Sequence, residues 1–221
     1  MLVLPGDVAD QEVDGAFTRT LTTRFGAVAP HPDAVSELAT LVDRAQKVTL
    51  FCGAGVAGAR SEVLELAELV KAPIGHAFGG KEFIQYDNPF DVGMSGLLGY
   101  GAAYEATHEC DLLILLGTDF PYSEFLPEDG PKVVQVDADA SRLGRRIPLD
   151  LGIHGDVALT LRALMPMVKA KKNRKFLNSM LRKHEKALTG VVAAYTKNVG
   201  RMKPIHPEYV ASVLDLSLIH I

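Results

Sequence analysis

Cysteine is scarce in this chain, and positive charge is not in excess. The 221 residues hold two cysteines, Cys52 and Cys110, far apart in sequence. That excludes a disulfide-stapled scaffold and a cysteine-based zinc site, and makes reduced thiols in the cytoplasm the default reading. Lysine and arginine number 23 against 27 aspartates and glutamates, a net charge of −4. The basic excess of a nucleic-acid binder is missing. No apolar run reaches the roughly 18–20 residues of a membrane span. The first residues lack the basic flank and apolar core of a signal peptide. What remains is 48% hydrophobic and 23% charged residues, an ordinary globular balance. The length suits one large domain, or one domain with fragments of others.

Both ends read as cuts. Residues 1–8, Met-Leu-Val-Leu-Pro-Gly-Asp-Val, read as the end of a buried strand with partners upstream; the alternative is an N-terminal strand of the main sheet. Near the other end, residues 206–214 have apolar spacing suited to a helix. The final hexapeptide, Leu-Ser-Leu-Ile-His-Ile at 216–221, looks like translated adapter DNA and is left out of fold reasoning. The expected organisation is therefore the end of a truncated domain at 1–9 and a linker at 10–32. A central domain follows at 33–170, then a linker helix and connection at 171–204. The start of another truncated domain at 205–215 and a non-native tail at 216–221 complete it.

Between the ends, strands alternate with helices. A helix pattern follows the linker, with Val35, Leu38, Leu41 and Val42 on one face and Asp33 placed to cap it. Residues 47–52 form an apolar, β-branched run bounded by glycine, which predicts a buried strand. Residues 61–71 predict a helix, 73–77 a short strand, and 79–98 a long functional loop rich in Gly, Asp and Asn. A helix of small residues follows at 99–109. Strands are predicted at 111–116, 132–137 and 151–154, then helices at 156–168 and 177–188. The basic run 169–175 reads as a solvated linker rather than a phosphate or nucleic-acid site. The alternation implies an α/β fold, a doubly wound, mostly parallel Rossmann-like sheet.

Ligands of such sheets sit at the carboxyl ends of the strands, and several predicted strands end in glycine-bearing turns. Gly53-Ala54-Gly55, with Gly58 beyond, satisfies G-x-G-x-x-G between a strand and a helix. There, backbone amides can approach a phosphate at a helix N-terminus; the alternative is a tight turn with no ligand. The acidic residue of a nicotinamide site should follow about 20 residues on, where this chain has Gly75, His76, Ala77 and Phe78. That argues against an ordinary NAD site. Ser95-Gly96-Leu97-Leu98 lies on a second glycine loop, whose leucines flank a flat ring or fill core. Gly117-Thr118-Asp119-Phe120-Pro121 follows the strongest strand, as a ligand turn or a capped turn. Asp137 closes another strand, as a ribose acceptor or a helix cap. Asp156, followed by Val157, is a helix cap or an adenosine contact. No catalytic constellation or metal motif is readable among the seven scattered histidines. His76 and Cys52 read most simply as buried core groups.

The ordered set of strings is more specific than any member. Residues 52–55 (CGAG), 76–82 (HAFGGKE), 86–94 (YDNPFDVGM), 117–122 (GTDFPY) and 135–137 (QVD) together resemble the central domain of thiamine diphosphate-dependent enzymes. They most closely resemble that of the bacterial pyruvate dehydrogenase (quinone) or pyruvate oxidase flavoproteins, with a DHS-like FAD-binding domain. The resemblance implies FAD held by Gly53, Ala54, Gly55, residues 95–98, residues 117–121, Asp137, Asp156 and Val157. It implies that Asp137 binds near the adenosine and that residues 95–98 line the flavin arm. It further implies thiamine diphosphate and Mg²⁺ bound by flanking domains, pyruvate oxidised to acetate and CO₂, and electrons passed to ubiquinone. Such proteins are homotetramers with peripheral inner-membrane association when full length. The glutamate that activates thiamine, the Gly-Asp-Gly…Asn metal motif and the membrane-binding segment have no counterpart in these 221 residues. The fragment is thus expected to be inactive alone. An acetolactate synthase-like carboligase and a stand-alone nucleotide-binding regulatory module are the alternatives.

Overall fold

A computed structural model describes residues 6–9, 11–12, 26–196 and 199–218. Its centre is one seven-stranded sheet: β1 (Val48–Cys52), β2 (Ile74–His76), β3 (Asp91–Met94), β4 (Tyr100–Gly101), β5 (Leu112–Leu116), β6 (Lys132–Asp137) and β7 (Leu151–His154). The spatial order is β4-β3-β2-β1-β5-β6-β7. All neighbours are parallel except the β3–β4 pair. From β1 the chain winds outward through β2 and β3, then returns to lay β5 on the other side of β1. The strand order therefore reverses between β1 and β5, the place where doubly wound sheets open a crevice.

Side-chain alternation divides the core between the two faces. Leu50, Cys52, Leu112, Ile114 and Leu116 join one cluster, with α2 (Pro32–Arg44), α3 (Arg60–Val70) and α6 (Val157–Leu164). Phe51, Leu113 and Leu115 point to the other face. There α5 (Ala103–Glu109) and α7 (Lys175–Thr196) cover the β2–β4 side, with Ala106 and Met180 packed beside Val92. All five residues of β1 and of β5 are buried, as strands covered on both faces must be. Each fully buried leucine here contributes about 2 kcal/mol.

Several sequence expectations change in detail. Asp33 does not cap α2: His31 is the N-cap, its Nδ1 accepting from Asp33 N–H at 3.3 Å, and Pro32 starts the helix. The 79–98 segment is not one loop. It contains the short helix α4 (Lys81–Ile84) and strand β3. Pairing with β2 makes 91–94 a strand despite Gly93 at φ +93. The 99–109 segment opens as β4 before α5 begins, and α6 gives way to a 3₁₀ turn at Met165–Met167.

At the amino end, α1 (Gly6–Ala9) is helical, so residues 7–8 do not end a strand; residues 1–5 and most of the expected linker lie outside the described residues. The carboxyl-terminal helix α8 (Pro207–Leu218) runs on into the tail expected to be non-native, whose residues 219–221 lie outside the description.

Candidate functional site

Backbone hydrogen bonds align the strand tips in one row. Ser95 N–H donates to His76 O at 3.1 Å, Ala77 N–H to Cys52 O at 2.9 Å, and Gly53 N–H to Leu116 O at 2.9 Å. Gly117 N–H donates to Val136 O at 2.8 Å and Gly155 N–H to Asp137 O at 2.9 Å. The row runs across five neighbouring strands, from Ser95 beyond β3 to Asp137 at the end of β6. Four strand spacings separate those two residues, roughly 19 Å, a length suited to an extended dinucleotide.

Glycine is required in the middle of this row. A β-carbon on Gly53 would meet Gly117 O and Thr118 Cβ at 2.5 Å; one on Gly55 would meet Gly117 Cα at 2.6 Å. The β1 turn is thus pressed backbone to backbone against the β5 turn. Gly55 N–H also donates to Gly117 O at 2.9 Å. The amides of Gly53 and Gly55 are therefore engaged within the chain, which corrects the reading of them as phosphate donors. Their turn leads into a 3₁₀ turn at Ala54–Val56, and α3 starts only at Arg60. Ala54 and Gly55 lie exposed at the surface of the row, and Gly53 is buried.

The 117–121 turn divides in function. Thr118 is buried, and its carbonyl accepts from Gln135 Nε2 at 3.0 Å. Asp119 is held by Arg146, whose Nε donates at 2.8 Å, and by Arg145, whose Nη1 donates at 3.0 Å. These contacts, Arg146 first, keep its carboxyl below the usual carboxylate range. Phe120 is core, edge-on to Phe51, and Pro121 is exposed. At the far strand, Asp156 is the N-cap of α6, accepting from Leu159 N–H at 2.9 Å, and Val157 is buried beside it. The cap alternative is the geometry observed for Asp156.

Three side chains in the row, Asp137, Ser95 and His76, are buried with an unused polar atom. Asp137 is 4% exposed; its Oδ1 accepts from Asp139 N–H at 2.9 Å, but Oδ2 has no partner. Asp137 does not cap the following 3₁₀ turn, since Asp139 does. Ser95, 5% exposed, has an unpartnered Oγ. A buried polar atom left unpaired carries a desolvation penalty of about 1–3 kcal/mol, which a ligand group would relieve. Beside Ser95 lies a cavity of about 240 Å³ lined by Gly96, Gly99, Tyr100, Tyr104, Glu105 and Phe125, among others. Leu97 and Leu98 stand exposed at 69% and 73%, so they do not fill core. A larger groove, about 690 Å³, lies between α3 and α6 in the helical layer and includes none of these turns.

A polar cluster adjoining Ser95 was not legible in the sequence. His76 Nε2 and His184 Nε2 each lie 3.6 Å from Asp91, on Oδ1 and Oδ2 respectively, and the Tyr100 ring stands beside both imidazoles. Burial lowers His76 to about 4 and raises Asp91 to about 6. It also lowers His184, and raises Tyr100 to about 12. The available signal was helical spacing: His184 continues the series of buried Leu177 and Met180 and partly buried Leu181. Among the described residues, no group of three or more His, Cys, Asp or Glu side chains is arranged to hold a metal ion. No helix among them is long and apolar enough to cross a membrane.

Comparison with known proteins agrees with this architecture. The family model "Thiamine pyrophosphate enzyme, central domain" matches residues 35–164. An uncharacterized 42.6 kDa protein encoded in the isoamylase 3′ region of Pseudomonas amyloderamosa is 47% identical over 193 residues, covering 86% of this chain and 48% of that protein. A probable acetolactate synthase large subunit of Methanocaldococcus jannaschii is 33% identical over 175 residues, covering 73% of this chain and 29% of that protein. The chain thus spans half or less of these relatives. The benzoylformate decarboxylase structure from Polynucleobacter necessarius superposes with a TM-score of 0.58 at 23% identity, covering 77% of this chain and 33% of that one; this likeness concerns the fold. The parallel sheet, its row of strand-tip turns and the family match over most of that sheet establish that the chain belongs to the thiamine diphosphate-dependent enzymes, as a central domain.

Proposed function

We propose that this domain binds FAD along the carboxyl edge of its sheet, as part of a thiamine diphosphate-dependent enzyme that acts on pyruvate. The observation that carries the proposal is the pair of buried, unpartnered atoms, Asp137 Oδ2 and Ser95 Oγ, at opposite ends of one hydrogen-bonded row. Asp137 would accept from ribose hydroxyls, and its carboxylate makes that bond stronger than a neutral one. Ser95 and the cavity beside it would receive the flavin arm, with Leu97 and Leu98 flanking it. The middle of the row, where Gly53, Gly55 and Gly117 lie without side chains, would let the diphosphate cross close to the backbone. Bound there, FAD supplies reversible electron storage, while this chain's residues position it and shield it from water.

For the whole enzyme, the sequence strings support oxidation of pyruvate with electron transfer to a quinone. The acetolactate synthase relative supports a second reading, carboligation. The first test is retention of flavin: after mixing with FAD and gel filtration, the protein peak should carry flavin absorbance in equimolar amount. Excess NAD should not displace it. A colourless protein peak would contradict the proposal. A longer form of the protein that reduces ferricyanide with pyruvate supports the oxidase reading; acetolactate formation supports the other. The 221 residues alone are expected to do neither.

A further inference from the structure

Gln135 opens the 135–137 string and lies two residues before Asp137 on β6, so both side chains leave the same face of the strand. Its partners across the sheet are Leu115 on β5 and Gly152 on β7. That face is otherwise apolar, with Phe120, Val133 and Ile147 in its cluster. Gln135 is 3% exposed, and an unpaired amide there would be costly. Both ends of the amide are bonded. Nε2 donates to Thr118 O at 3.0 Å and to Arg142 O at 3.2 Å, and Oε1 accepts from Gly144 N–H at 3.0 Å. These bonds join the turn after β5 to the turn after β6. A second tie joins the same segments where Asp119 takes Arg145 and Arg146. Gly144 holds φ +69, so the turn that meets Oε1 favours glycine. Thr118 in turn touches the β1 turn: its Cβ stands 2.5 Å from where a β-carbon on Gly53 would lie. The segment held in this way begins at Asp139, whose N–H occupies Asp137 Oδ1 and leaves Oδ2 over.

We infer that Gln135 is a positioning residue for the nucleotide half of FAD: buried beneath the strand tips, it holds the Thr118 and Arg142–Gly144 turns at the spacing that leaves Gly53, Gly117 and Asp137 Oδ2 open to one ligand. The inference rests on the FAD reading above and adds to it a residue that acts only through others. Turns already fixed in the free protein lose less conformational freedom when a ligand binds, which strengthens binding without a new contact. An apolar side chain at 135 would fill the same space. It would leave Thr118 O, Arg142 O and Gly144 N–H without this shared partner, and the two turns would no longer be held to each other through it. Asp119 and the two arginines would then be the remaining side-chain tie, at a more exposed place.

Dissociation constants for FAD and for ADP test it, measured by titration calorimetry on protein shown to be folded by circular dichroism. Gln135→Met should weaken both ligands by the same factor, roughly tenfold, because the loss falls on the half they share. A loss of packing alone would lower the melting temperature and leave the constants of the folded protein unchanged. Gln135→Glu adds a second readout. Ionised, its carboxylate faces two carbonyl oxygens, and binding should fall. Protonated, it again offers a donor beside an acceptor oxygen, and binding relative to wild type should recover as the pH falls from about 9 to about 6. Gln135→Met should show no such recovery, and Lys186→Gln, exposed on α7, should match the wild type throughout. Should both variants at 135 fail to fold, amide exchange of the wild type decides: Gly144 N–H should be protected before any nucleotide is added. Wild-type binding with equal constants in Gln135→Met, no acid recovery in folded Gln135→Glu, or an unprotected Gly144 amide would overturn the inference and leave the FAD reading standing. A wild type that binds neither nucleotide would overturn both.

Discussion

Gly55 lies backbone to backbone against Gly117. Its amide donates to the Gly117 carbonyl at 2.9 Å, and a β-carbon would stand 2.6 Å from Gly117 Cα. This contact closes the sheet's switch point between β1 and β5, and it makes both glycines structural before they serve any ligand. Gly117 itself holds φ +57, in the left-handed region.

Gly55→Ala is therefore expected to destabilise the domain by about 1–3 kcal/mol through overpacking. Thermal denaturation should show a loss of roughly 2–12 °C for a chain of this size. Gly58→Ala meets no neighbour within 4 Å but holds φ +78, so its effect should be smaller, about 1 kcal/mol. Equal melting temperatures for Gly55→Ala and the wild type would refute the packing account.

Asp119 anchors two arginines from the 142–147 segment, and its side chain is 21% exposed. Asp119→Ala leaves both guanidinium groups without that carboxylate. Because Arg145 is largely exposed, solvent screens part of the effect, and a loss of about 1 kcal/mol is expected. The paired double mutant Asp119→Ala/Arg146→Ala measures the coupling. A coupling energy of zero would show that this pair contributes nothing to stability.

His76 and Asp91 act in opposite directions on stability against pH. His76 falls from 6.5 to about 4 on folding, so its contribution is present above 6.5 and lost as pH falls through about 4. Asp91 rises from 3.8 to about 6, so its contribution is present below 3.8 and lost as pH rises through about 6. Each is worth up to roughly 3 kcal/mol, and between pH 4 and 6 they largely offset. Asp91→Asn removes one side of that balance. Urea midpoints of the variant should fall more steeply than those of the wild type between pH 6 and 4.5; parallel curves would contradict the assignment.

The central strands were legible because burial on both faces writes itself as continuous apolar runs, as in 112–116. The strand-tip turns were legible because glycine cannot be replaced where backbones touch. β3 was not, since Asp91-Val92-Gly93-Met94 has neither length nor alternation, and only pairing with β2 makes it a strand. Local spacing also could not reveal that the Gly53 and Gly55 amides turn inward to carbonyls of β5 and its following turn. Nor could it show that Asp119 faces arginines some 26 residues away. Asp137 stood as cap or ribose acceptor in the sequence. The structure hands the cap to Asp139 and leaves Oδ2 free, which favours the second reading.

The central claim, that Asp137 at the end of this row accepts from the ribose of FAD, is tested most directly by the FAD dissociation constants of wild type and Asp137→Asn, measured by flavin fluorescence. Loss of a hydrogen bond to a charged group is worth about 1.5–3 kcal/mol. The variant should therefore bind roughly 10- to 150-fold more weakly while melting within a few degrees of the wild type. Equal dissociation constants, or no FAD binding by the folded wild-type chain, would contradict the account.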